Sequence, residues 1–218
     1  MSLVTRPKRF LASLKPEDAI NRAIFFFLVS VSVALVFELS FISKAVDAPF
    51  LVAKTVVSHL LAAIALALFT FFGFSIVGGK ASPLHHLMVV FYISGVYFLF
   101  YAPLAAAAKG IVLHETPQLY PLFIEFMNSM ALPIRRDATR FAPLFEGESN
   151  VMLCALLFVI ALVLFSIAWI IACWGALRQI SGVSRSRSIV AFVLVQLFGL
   201  VLGFVLNATM AGLGIVLF

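Results

Sequence analysis

The sequence predicts an all-α fold: a polytopic bundle of about five transmembrane helices, forming one membrane domain over residues 1–218. Three observations carry that expectation. The chain is 64% hydrophobic and only 11% charged, whereas soluble domains are about half apolar and a quarter charged, so no soluble core hides this much apolar surface. Five apolar runs recur, at about 23–42, 55–77, 84–104, 151–177 and 188–210, each close to the length a helix needs to cross hydrocarbon. Short basic turns separate alternate runs, as in a chain that threads back and forth. The net charge of +6 is therefore read as orientation, not as nucleic-acid binding.

Residues 1–22 are basic, with Arg6, Lys8, Arg9, Lys15 and Arg22 against Glu17 and Asp18. Phe10, Leu11 and Leu14 share a helical face. The stretch reads as a short interfacial helix on anionic headgroups or as a frayed tail. Pro16, Glu17 and Asp18 mark a fresh helix start, with Pro and two acids in the first turn. The first span, 23–42, is too long for a signal-peptide apolar core and is expected to remain as a span. A hairpin over 43–54 holds Pro49, and the second span follows. Gly78 to Pro83 is a tight turn by its Gly and Pro content. The third span is expected to end at Pro103, where a helix break costs least.

The one long connection then covers 105–150. Within it Leu119, Leu122, Phe123, Phe126, Met127 and Met130 repeat at helical spacing, which predicts an amphipathic helix in an outer loop between spans three and four. It reads as a foot on the outer leaflet, a lid or a partner site. Trp169 and Trp174, near the end of span four, are expected at the membrane interface. Cys154 and Cys173 share that span, about 28 Å apart on one helix, so they cannot pair with each other. The closing run from Ser188 carries no charge, and Gly199, Gly203, Asn207 and Ala211 fall on one face. Gly199, Gly203 and Ala211 are read as helix-packing positions, so this run is expected to organise the bundle.

Orientation follows from the basic residues. An N-terminus inside places Arg6, Lys8, Arg9, Lys15, Arg22, Lys80, Arg178, Arg185 and Arg187 inside. Lys44, Lys54, Lys109, Arg135, Arg136 and Arg140 then lie outside, which favours N-in and C-out.

Ionisable groups within spans are the best pointers to a site in a membrane protein. Glu38 and His59 lie about a turn inside the outer ends of spans one and two, and Asn207 falls in the same outer third. Together they read as a proton relay or a polar lining, or as a structural pair. His85 and His86 project about 100° apart and make a poor chelating pair. No metal, cofactor or catalytic site is expected, because there is no H-E-x-x-H, no Cys/His cluster, no phosphate loop and no nucleophile triad in context.

Three stretches give the chain a resemblance to the Yip family of five-helix, Ypt/Rab-interacting membrane proteins, over roughly residues 15–210. They are Lys15-Pro16-Glu17-Asp18-Ala19, Gly78-Gly79-Lys80-Ala81-Ser82 leading to Val89-Val90-Phe91-Tyr92, and Trp174–Leu177 leading to Gly182-Val183-Ser184-Arg185-Ser186-Arg187. The chain departs from that pattern in its long connection between spans three and four and in lacking the long soluble N-terminal tail of eukaryotic members. The resemblance therefore implies a bacterial-type relative, without Rab binding. The function expected first is a non-enzymatic scaffold or accessory subunit, partnered by the lipid bilayer and by another membrane protein or a second copy. The second is a small transporter or lipid-handling protein with its site in the outer half of the bundle. The bacterial inner membrane is the expected location, with the ER or Golgi membrane as the alternative.

Overall fold

A computed structural model describes residue 3 and residues 6–42, 48–131, 138–144 and 150–212. Seven α-helices follow in order: α1 (Pro7–Ala12), α2 (Pro16–Ile42), α3 (Ala48–Ile76), α4 (Pro83–Glu115), α5 (Tyr120–Ala131), α6 (Asn150–Ser181) and α7 (Arg185–Gly212). Short 3-10 turns cover Pro117–Leu119 and Ala138–Leu144. No strand occurs among the described residues. Five helices, α2, α3, α4, α6 and α7, are long and apolar enough to cross a membrane, and the chain is an integral membrane protein.

The outer surface of the bundle fits that solvent. Phe25, Leu61, Leu164, Ile171 and Leu200 are all at least 60% exposed, a pattern that water penalises and lipid does not.

The helix starts follow from local chemistry. Pro16 opens α2 with Glu17 and Asp18 in its first turn, where the helix dipole favours acids. At α4 the Ser82 hydroxyl accepts from the His85 amide at 3.2 Å, and Pro83 takes the next position, where no backbone donor is missed. Helix α3 ends on Gly78 at φ +87°, with the Gly79 amide donating back to Phe74 O at 2.8 Å. Ser184 caps α7, its hydroxyl accepting from the Arg187 amide.

Three expectations change here. Pro103 lies inside α4, which runs on to Glu115. The lost hydrogen bond is offset because Ala105, Ala108 and Val112 beyond it are buried against Phe123, Phe141, Leu144 and Phe158. At about 1.5 Å per residue, α4 is roughly 50 Å long, well beyond a hydrocarbon core of about 30 Å. Pro49 sits in the first turn of α3, not in a hairpin, where proline is tolerated. The third change concerns the hub of the bundle. Helix α4, not the closing run, packs against α2, α3, α5 and α6, whereas α7 lies chiefly on α3.

The tightest helix pairs are set by two glycines. A Cβ at Gly95 would lie 2.6 Å from the Phe26 ring and 3.0 Å from the Ser30 hydroxyl, so α2 and α4 approach closely there. A Cβ at Gly73 would lie 2.9 Å from the Ala191 carbonyl oxygen, which places the α7 backbone directly on α3. Leu11 of α1 is fully buried, and Phe10 meets Tyr92 edge-on at 5.7 Å, so the N-terminal segment is fastened to the bundle.

Candidate functional site

The end of the bundle that carries Lys8, Lys15, Arg22, Lys80, Arg178, Arg185 and Arg187 is the basic end, where α2, α4 and α7 begin and α3 and α6 finish. A buried polar tie joins three helices there. His86 is 1% exposed, with Nδ1 3.3 Å from Thr70 Oγ1 and Nε2 3.3 Å from Ser181 Oγ. Thr70 spends its one hydrogen on Ala67 O at 2.9 Å, so it accepts from His86 Nδ1–H. Nε2 then accepts from the Ser181 hydroxyl. The rings of Phe71 and Phe74 flank the imidazole. Its polar atoms are satisfied within the chain, and its function there is structural. Beside it, His85 Nε2 is buried and meets no hydrogen-bond partner.

Next to that tie, and sharing Thr70 and Phe74 with it, a cavity of about 380 Å³ lies between α3, α4, α6 and α7. Its walls are mostly apolar, from Phe74, Phe98, Ile170, Phe192 and Val195, with Ser94, Tyr97 and Gln196 as polar points. The lining positions belong to the halves of these helices nearer the basic end. A second hollow, bounded by Ile170, Ile171, Trp174, Ile189 and Phe192, shares Ile170, Trp174 and Phe192 with the first. The two adjoin through these shared walls and are together called the recess, whose outer part lies between α6 and α7. These helices are joined by only three residues, 182–184, yet α7 leans on α3 and leaves its neighbour.

Both tryptophans of the chain line the recess. The Trp169 indole donates to Ile93 O at 3.1 Å, and the Trp174 indole donates to Ser188 O at 3.2 Å. These bonds within the bundle satisfy both indole N–H groups, and both side chains contribute to the recess lining. Phe100, Phe165 and Trp169 stack in series behind them. At the basic rim, the Arg178 guanidinium lies 5.8 Å from the Trp174 ring centroid.

Of the three polar residues singled out from sequence, only His59 has a described side chain. His59 is half-buried, with its ring 4.5 Å from that of Phe98. Glu38 and Asn207 lie within α2 and α7, and their side chains fall outside the described ones, as do Gly203 and Ala211. Among the described residues a Cβ at Gly199 would meet no atom within 4 Å, and the close helix–helix approaches fall at Gly73 and Gly95. On α5, Phe123 is fully buried, and Leu119 and Leu122 pack with it against α4 and α6. That much of the amphipathic face is occupied by the chain itself. The side chains of Phe126, Met127 and Met130 lie outside the described ones. No cluster of metal-binding side chains occurs among the described residues.

The recess was not visible in the sequence. Its lining comes from four helices at unrelated spacings, and only Thr70, Ser94 and Gln196, polar residues within apolar runs, hinted at something other than lipid or core around them.

Comparison with known proteins finds no match, either to a family model, to a curated protein or to a solved structure.

Proposed function

We propose that this chain is a non-enzymatic integral membrane protein that handles lipid, taking an acyl chain sideways from the bilayer into the recess between α6 and α7. The observation that carries this reading is the recess itself. Its walls are mostly apolar, its outer hollow lies between two membrane-crossing helices, and its inner cavity, at about 380 Å³, falls within the usual size range of ligand sites. An apolar hollow of that size suits an acyl chain. The polar points at Ser94, Tyr97 and Gln196 suit a site that holds a chain and also tolerates an ester or glycerol group.

The lipid-handling alternative from the sequence thereby moves ahead of the scaffold reading, and its site moves from the Glu38–His59–Asn207 level to the basic half of the bundle. The accessory-subunit reading stands second, favoured by Gly199, whose open surroundings leave room for a partner's helix. On either reading we place the N-terminus and the basic end in the cytoplasm, in a bacterial inner membrane, with the Yip-like motifs as supporting resemblance.

Native mass spectrometry of the chain released gently from its own membrane tests the proposal. A phospholipid retained at one per chain is the expected result, lost on filling the cavity with Ser94→Phe. A stoichiometric second protein with no retained lipid would replace this reading with the accessory-subunit one.

A further inference from the structure

The recess has a cationic rim that the apolar walls do not need. Arg178, on α6, sits one helical turn from Trp174 and lies over its ring. Arg185, the first residue of α7, sits one turn from Ile189 on the same helical face. Trp174 and Ile189 are the basic-end walls of the outer hollow, so the two arginines flank its mouth from opposite helices. Among the described residues neither arginine has a carboxylate partner, and the only acids at this end, Glu17 and Asp18, are in α2. Arg187 differs. Its guanidinium lies against the α3–α4 turn, 3.6 Å from where a Cβ on Gly78 would be, and is turned away from the hollow.

An apolar slot with two arginines one helical turn beyond its walls, neither paired with a carboxylate among the described residues, matches an amphiphile with a negative head. We infer that the recess is selective for an anionic glycerophospholipid. The acyl chain lies in the slot past Ile170 and Phe192, and the phosphate is held at the rim by Arg178 and Arg185. This inference rests on the lipid-handling reading and specifies the class of lipid. Guanidinium suits the task because its planar fork of donors pairs with phosphate oxygens in a fixed geometry. Trp174 positions Arg178 by stacking, and a basic pocket between transmembrane helices is a recurrent way to hold acidic headgroups.

The two tryptophans make the site self-reporting, since both line the recess and the chain has no others. The full chain is reconstituted in phosphatidylcholine vesicles, and brominated phosphatidylglycerol or brominated phosphatidylcholine is added at low mole fraction. Quenching by the brominated anionic lipid should saturate at roughly tenfold lower mole fraction than by the zwitterionic one, from two cations each worth a few-fold. The double change Arg178→Gln and Arg185→Gln should abolish the preference and leave quenching by brominated phosphatidylcholine unchanged. Arg178→Lys, which keeps the charge but loses the planar fork and the stacking on Trp174, should retain only part of it, and Arg187→Gln should leave it intact. Equal quenching by both lipids in the unaltered chain overturns the headgroup assignment and leaves lipid binding standing. Quenching by neither overturns both. An equal loss with Arg187→Gln shows a general surface charge effect and overturns the assignment of the rim.

Discussion

The bundle closes one of its seams and leaves another open. Along α2 and α4 the helices meet at Gly95, where even a methyl group would strike Phe26 and Ser30, and Phe27, Val31, Val89 and Phe91 fill the space around that contact. Along α6 and α7 the connection is shorter, yet the helices separate into a hollow lined by Ile170, Trp174 and Phe192. Loop length does not decide which neighbours pack. Residues at the crossing decide it: Gly73 lets α7 lie backbone-to-backbone on α3, which draws α7 away from α6. The tight α3–α7 pair at Gly73 and the open α6–α7 seam thus go together.

The largest expected break in this contrast is Gly73→Ala. Its Cβ would meet a backbone oxygen that no rotamer change relieves, so a loss of about 2 kcal/mol in detergent unfolding is expected, the usual scale for overpacking. His86→Leu comes next. It leaves the Thr70 and Ser181 hydroxyls without their buried partner and should cost about 1–3 kcal/mol, read as a lowered Tm. Ser94→Phe acts in the open region. It should leave stability within about 1 kcal/mol while removing retained lipid, because it fills space and displaces no packed side chain. The smallest effect belongs to Gly199→Ala, chemically the same change as Gly73→Ala. With nothing within reach it should shift stability by no more than about 0.5 kcal/mol, and unfolding of the two alanine variants side by side checks the comparison.

The five spans were legible because hydropathy over some twenty residues is an additive property that neighbours in space do not alter. The turn at Gly78–Pro83 was legible for a related reason, since Gly, Pro and a capping Ser act locally, whereas the gap between the fourth and fifth spans, 178–187 in sequence, narrows to 182–184 in the fold. Pro103 misled because its local penalty was outweighed by burial of Ala105, Ala108 and Val112, which depends on α5 and α6. The glycine at the α3–α7 contact was not legible either. Gly199 and Gly203 have the familiar four-residue spacing, whereas the close contact is made by Gly73, a single glycine among phenylalanines whose role depends on Ala191 more than a hundred residues later. His86 gave no sign in sequence of being a three-helix tie, because Thr70 and Ser181 become its partners only on folding. The recess is least legible of all: a hollow is a property of how helices diverge, and no residue encodes it alone.

The central claim is that the α6–α7 seam is open to lipid. Oxygen collision rates of a nitroxide at Ile189→Cys, in a chain otherwise free of cysteine and reconstituted in bilayers, test it most directly. Ile189 lines the hollow and is 55% exposed; Phe72, 51% exposed and likewise about one turn from the basic end of its helix, serves as the lipid-facing reference. The account predicts equal oxygen accessibility at the two positions. Accessibility at Ile189 well below that at Phe72 would mean that protein covers the seam, and would contradict it.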